Sequence, residues 1–145
     1  MKARRAVIDT NVLISGALMG GTPPALVTHC LLEHGRLLFS RETFTELETR
    51  LMRPKFDRYL TLEQRQSLLH DFNAAADWIA LDADPCAQIR YSRDPDDDKF
   101  VWTALAGGAD WLVSGDTDLL DLPAIGSLRI LSPAQGVARS RACVG

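Results

Sequence analysis

The sequence predicts an α/β protein, a three-layer α/β/α sandwich around a central parallel sheet of about five strands. Three observations point there. Short apolar runs recur along the chain, separated by segments of helical spacing, the order that builds a parallel sheet covered by helices. The runs do not alternate apolar with polar residues, so neither face of the sheet is expected to meet water. With 145 residues, 46% of them hydrophobic, the chain can bury one core without disulfide or metal staples, and a single domain over residues 1–145 is expected.

Arg5–Asp9 (Arg-Ala-Val-Ile-Asp) reads as the first strand, and Val12–Leu18 as a helical turn or two behind it. In the loop Gly20-Gly21-Thr22-Pro23-Pro24, Thr22 can cap a helix and the prolines suit its first turn. That helix runs from about Pro24 to His34, with Leu26, Val27, Cys30 and Leu31 at helical spacing and Gly35 as its stop. Arg36–Ser40 is the second strand; Ser40 caps a helix reaching about Arg53, where Pro54 ends it. Thr61-Leu62-Glu63-Gln64 has the form of a capping box and opens a helix to about Asp77. Trp78–Leu81 is the third strand and Asp82–Arg93 a polar connection. Asp94-Pro95-Asp96-Asp97 starts a helix, with an Asp cap, a proline at the first position and acids where the helix dipole favours them. That helix ends at Gly107-Gly108. Trp111–Ser114 and Arg129–Leu131 are the fourth and fifth strands, and Ser132-Pro133 opens a short terminal helix.

No apolar run approaches the roughly 20 residues needed to cross a bilayer, which excludes a transmembrane protein. The basic start leads into an apolar stretch that Asp9, Thr10 and Asn11 break at once, unlike a secretory signal, so a cytoplasmic protein is expected. Cys30, Cys86 and Cys143 are odd in number and far apart, without a Cys-x-x-Cys pair, and indicate neither a disulfide framework nor a structural zinc. The net charge of −3 argues against strong nonspecific nucleic-acid binding, but the charge is unevenly spread. Residues 36–58 carry six bases (Arg36, Arg41, Arg50, Arg53, Lys55, Arg58) against four acids. Residues 94–121 carry eight acids against one base, Lys99. A basic stretch and a concentrated acidic one in a small domain suggest a metal site beside a phosphate-contacting surface.

Functional residues of open parallel sheets collect beyond the carboxyl ends of the strands. Asp9 ends the first strand, and Asp116 follows the fourth by two residues; the lesser alternative for Asp9 is an N-cap of the helix over 12–18. In the run 94–98, a helix starting near Pro95 puts Asp97 on one stripe with Phe100, Val101, Ala104 and Gly108, an inward face. Asp96 falls on a more polar face with Lys99 and Thr103, the wheel does not exclude Asp98, and Asp94 lies one turn earlier. Capping explains one or two acids there, whereas four repel one another unless a cation sits among them. In the helix from Arg41, Glu48 lies near the apolar stripe and Glu46 on the side of Arg50 and Arg53, so periodicity does not choose Glu46.

Val-Ile-Asp-Thr-Asn-Val-Leu-Ile at 7–14 resembles the opening of the PIN domain, a metal-dependent ribonuclease fold found in bacterial toxin–antitoxin toxins. Thr-Glu-Leu-Glu at 45–48, Arg-Asp-Pro-Asp-Asp-Asp-Lys-Phe at 93–100 and Leu-Val-Ser-Gly-Asp-Thr-Asp-Leu-Leu at 112–120 follow in the family's order. The resemblance assigns Asp9, Glu46, Asp97 and Asp116 to the catalytic acidic cluster. Asp118 and Asp94 are additional candidates, with Asn11 and Ser114 as polar helpers. It overrules the helical wheel for Glu46, and it leaves open whether Asp116 or Asp118 is the main ligand.

Oxygen-only ligation suits Mg²⁺ or Mn²⁺ rather than zinc, and such ions activate water against phosphodiesters. The resemblance implies RNA cleavage to a 3′-hydroxyl and a 5′-phosphate, with Arg41, Arg50, Arg53 and Lys55 as contacts to the RNA backbone or simply as solvated charges. A haloacid-dehalogenase-like phosphatase would need Asp-x-Asp where Asp9-Thr10-Asn11 stands, and a receiver-like module would need a lysine after a late strand. A PIN-like scaffold that binds without cleaving is the third alternative. Two partners are expected. One is an antitoxin chain. The other is a second copy of the protein, paired through Leu31, Leu32, Leu62, Leu68, Leu69 and Phe72; one core could also bury the stripe of Leu68, Leu69 and Phe72, leaving a monomer.

Overall fold

A computed structural model describes residues 4–81 and 89–144. Its elements follow in the order β1 (Arg4–Ile8), α1 (Thr10–Leu18), α2 (Pro23–His34), β2 (Gly35–Phe39), α3 (Arg41–Leu51), α4 (Leu62–Ala75), β3 (Ala76–Trp78), α5 (Asp98–Ala106), β4 (Trp111–Val113), α6 (Thr117–Leu120), β5 (Arg129–Leu131) and α7 (Pro133–Val144). All five strands are parallel, in the order β3-β2-β1-β4-β5. The predicted architecture is the one found.

The strands are short and apolar because both of their faces are covered. Ala6 and Ile8 of β1 point to one side with Leu37, Phe39, Trp111 and Val113, and pack against Val12, Leu13, Val27, Leu31, Phe44, Leu47 and Phe72 from α1 to α4. Val7, Leu38 and Leu112 point to the other side, against Phe100, Val101 and Ala104 of α5 and Leu119 of α6. The period of two in a strand thus sends consecutive residues into two separate cores.

Local signals explain most boundaries. Ser40 and Gln64 take part in capping boxes, Ser40 with Thr43 at the start of α3 and Gln64 with Thr61 at the start of α4. The third strand is displaced from its predicted position: α4 stops at Ala75 and β3 is Ala76–Trp78, not Trp78–Leu81. Pairing on β2 sets this register, with Leu37 beside Ala76 and Phe39 beside Trp78, and Arg5 Nη1 gives the polar Asp77 a partner at 2.8 Å. The polar connection expected over 82–93 lies outside the described residues from 82 to 88. The predicted helix at Pro95 opens instead as a 3₁₀ turn, Pro95–Asp97, before α5 begins at Asp98. The terminal helix is longer than expected, since α7 packs along α2.

The chain starts β2 and β3 on one side of β1 and returns to place β4 and β5 on the other. The carboxyl ends of β1 and β4 therefore flank the point where the strand order reverses, where a crevice opens in such sheets. Val113 pairs with Ile8, and the Asp9 amide continues the ladder to the Val113 carbonyl at 2.9 Å.

Candidate metal centre

Asp9 leaves β1 at this crevice and is 3% exposed. Its Oδ1 accepts from the Asn11 amide at 3.4 Å, capping α1, and its Oδ2 accepts from Ser114 Oγ at 2.8 Å. The buried Ser114 follows β4, and its Oγ also accepts from the Asp116 amide at 3.0 Å. One hydroxyl therefore ties the two strand ends together. Asp116 caps α6 by accepting from the Asp118 amide at 2.9 Å. Cap and centre are not exclusive roles for Asp9 or Asp116, because one carboxylate oxygen suffices for a cap.

Asp97 arrives from the other direction, at the end of the 3₁₀ turn, and is 8% exposed. Its Oδ2 is buried and has no hydrogen-bond partner among the described residues. Burial first, then the charge of Asp116 and a side-chain hydrogen bond with it, and then the charges of Asp9 and Asp94, push its carboxyl up from 3.8 to about 7. The Asp9 carboxyl is raised too, chiefly by burial, with Glu46 and Asp116 adding to the rise and the hydrogen bonds from Ser114 and Asn11 opposing it. Asp97, Asp116 and Asp118 each offer an oxygen within 4.8 Å of the others. Three convergent carboxylates, one with an orphaned buried oxygen, are a donor set that fits a hard divalent cation.

The remaining candidates fall around this trio. Glu46 is half-buried on α3 while Glu48 is exposed. Glu46 is already engaged: its Oε2 accepts from Thr10 Oγ1 at 2.7 Å, and its Oε1 lies 2.8 Å from Arg50 Nη2 and 3.1 Å from Lys99 Nζ. Asp94 caps the 3₁₀ turn through the Asp96 amide. Asp118 pairs with Arg93 Nε at 3.1 Å. Asp98, which the wheel did not exclude, is fully buried but turned away from the trio. It accepts from the Tyr91 and Ser92 amides at 3.0 and 2.7 Å and from Arg90 Nε at 3.1 Å.

Asn11 and Ser15, one turn apart on α1, stand between two clefts. One, of about 320 Å³, reaches Asp9 and Asp116; the other, of about 390 Å³, is lined by Arg50, Arg53, Lys55 and Phe56. Arg50 Nη1 also donates to Asn11 Oδ1 at 3.3 Å. Arg41, exposed at the far end of α3, does not line the basic cleft. The sequence reading passed over Thr10, Arg93 and Lys99. Lys99 carried the one available signal, as the single base inside the acidic stretch.

Fold and centre define an α/β protein that gathers carboxylates at the switch point of a parallel sheet. The PIN domain family model matches residues 5–118, and the chain belongs to that family, whose members are generally nucleases. The match ends inside α6; β5 and α7 beyond it complete the sheet and cover α2. Among solved structures, the chain is similar to one described as VapBC2 from Rickettsia felis bound to a DNA fragment from their promoter, with a TM-score of 0.58 and 16% identity over 88% of this chain and 98% of that one. That likeness is one of fold. No curated protein matches.

Proposed function

We propose that the protein is a ribonuclease that hydrolyses RNA phosphodiester bonds with Mg²⁺ or Mn²⁺ held by carboxylates. The observation that carries this reading is the orphaned, buried Asp97 oxygen in a half-buried group of acids at the sheet's switch point. Asp9, Asp97 and Asp116 would hold the ion, with Asp118 beside them. A divalent ion there supplies what carboxylates cannot, neutralising phosphate charge and acidifying water.

The chain's own residues set the conditions for that chemistry. Ser114 fixes the Asp9 carboxylate and the backbone of Asp116 with one hydroxyl, so the two acids keep their spacing when the charge between them changes. Asp97 holds a proton near neutral pH without a cation and gives it up to one. Arg50, Arg53 and Lys55 line the adjoining cleft, where backbone phosphates of a bound strand would lie. RNA rather than DNA as substrate follows from the family resemblance.

The toxin–antitoxin role is part of the same proposal, supported by the VapBC2 likeness; its partner would be an antitoxin chain. Pairing with a second copy has less support than the sequence suggested. Leu31 and Phe72 are in the core and Leu68 and Leu69 pack against it, which leaves Leu32 and Leu62 exposed at 39% and 61%. Cleavage of RNA by the purified chain in Mn²⁺ or Mg²⁺, absent in EDTA and in Asp9→Asn, tests the enzyme; intact RNA in both ions would leave a PIN-like binding scaffold.

A further inference from the structure

Glu46 is the one acid of the four carried over from the family whose charge is more than matched. Arg50 and Lys99 both point at its Oε1, and Thr10 fills Oε2. The side chains of Glu46, Arg50 and Lys99 are 12%, 28% and 18% exposed, so these pairs are partly withdrawn from water. Yet neither cation reaches Asp97, whose buried oxygen is the most in need of a partner. If the two cations served only to relieve repulsion among the acids, Asp97 is where they would be found.

They are instead stationed beside the centre by a chain of contacts. Asp9 accepts from the Asn11 amide, Asn11 Oδ1 accepts from Arg50, and Arg50 pairs with Glu46. Glu46 pairs with Lys99, and Lys99 Nζ donates to the carbonyl of Asp96, the residue before Asp97. The path begins at Asp9 and ends one residue before Asp97. Two cations on one carboxylate leave a surplus positive charge at the rim. A lysine ammonium has three N–H groups, and Glu46 and the Asp96 carbonyl take two of them.

We propose that Lys99 is a phosphate-contacting catalytic residue of this centre, and that Glu46 is not a metal ligand but the positioning residue that holds it there with Arg50. The proposal rests on the nuclease reading. The third N–H of Lys99 meets a non-bridging oxygen of the phosphodiester, whose negative charge grows as the phosphorus takes a fifth oxygen. A fixed cation at that point stabilises the transition state more than the ground state.

The test compares wild type, Lys99→Met, Lys99→Arg, Glu46→Gln and the double variant Lys99→Met/Glu46→Gln. Three readouts are used: cleavage of a short fluorescein-labelled RNA in Mn²⁺, anisotropy of that RNA in Ca²⁺, and the rise in Tm on adding Mn²⁺. Loss of one charged donor to the transition state should lower kcat/KM by about 100-fold in Lys99→Met, with Lys99→Arg recovering about a tenth of wild-type activity or more. Glu46→Gln should lower it by about tenfold, and the double variant should be no worse than Lys99→Met, because Glu46 acts through Lys99. The Mn²⁺-induced rise in Tm should persist in every variant. Lys99→Met cleaving at the wild-type rate, or Glu46→Gln losing its response to Mn²⁺, would overturn the proposal. Should wild type leave the RNA intact, the nuclease reading falls and anisotropy alone decides Lys99. A roughly tenfold weaker binding in Lys99→Met then keeps the phosphate contact, whereas equal binding, or none by wild type, removes it.

Discussion

Replacing Asp97 by Asn should make the metal-free protein more stable while removing its response to divalent ions. The Asp97 carboxyl ionises near 3.8 in an unfolded chain and at about 7 in the folded one. Between those values the folded state binds the extra proton, so wild-type stability falls as pH rises from about 4 through about 7. At roughly 1.4 kcal/mol per pKa unit the cost reaches a ceiling of about 4 kcal/mol above pH 7. Three things reduce what an amide recovers: it is still desolvated, it must keep the contact toward Asp116, and the cleft beside the centre admits screening counterions. A gain of about 1–2 kcal/mol at pH 8 remains, or roughly 2–8 °C in Tm for a domain of this size. Differential scanning calorimetry in EDTA, from pH 4 to 8, checks it: the two proteins should unfold at similar temperatures at pH 4, with the wild type falling behind as pH rises. Mn²⁺ should then raise the wild type and not the variant. A variant that is less stable than wild type at pH 8 in EDTA would refute the placement of Asp97 among unpaired carboxylates.

Divalent ions should stabilise the wild-type chain by about 2.7 kcal/mol at a hundredfold excess over the dissociation constant; a melting curve indifferent to millimolar Mg²⁺ and Mn²⁺ would count against the centre. Asp98→Ala should cost about 2–4 kcal/mol in urea unfolding, since it strands the Tyr91 and Ser92 amides while the exposed Arg90 stays solvated, and variants that still fold should keep their Mn²⁺ response. Light scattering at micromolar concentration decides the homodimer: a mass near 16.0 kDa means that Leu32 and Leu62 do not bring two copies together.

Where a signal is local, the sequence was legible. Apolar runs located four of the five strands, because each must be buried on both faces, and Asp9 stood out as an acid directly after one of them. Ser40 and Thr61 announced their helices through side chains that bond within four residues. The failures are non-local. The register of β3 depends on β2 and on Arg5, both far away in the chain, so helix spacing carried α4 two residues too far. The wheel for 95–105 assumed α-helix from Pro95, whereas the 3₁₀ turn advances by 120° per residue and shifts the phase of everything before Asp98. Asp97 lies beside Asp116 and Asp118 despite this, and the wheel does not place Asp98. Leu68, Leu69 and Phe72 looked like spare apolar surface because nothing in α4 reveals that β2 and β3 lie beneath it. The network of Glu46, Arg50 and Lys99 joins α3 to α5 across some fifty residues, and no periodicity within either helix encodes it.

The fully buried Asp98 has a consequence for how this stretch can change. Five neighbouring positions hold a cap at Asp94, a proline, an exposed acid at Asp96, an acid of the centre at Asp97 and an anchor for residues 90–92 at Asp98. Chemically the three consecutive aspartates are identical, so their jobs are distributed only by reading frame. A point substitution removes one job and leaves the others in place. Inserting a single residue between Asp98 and Lys99 moves every aspartate back by one place: Asp98 falls where the centre's acid stood, Asp97 turns toward solvent, and the anchor's socket is left without an acid. Composition would be conserved and function lost, so this segment should drift by substitution at Asp96 and tolerate no change in length.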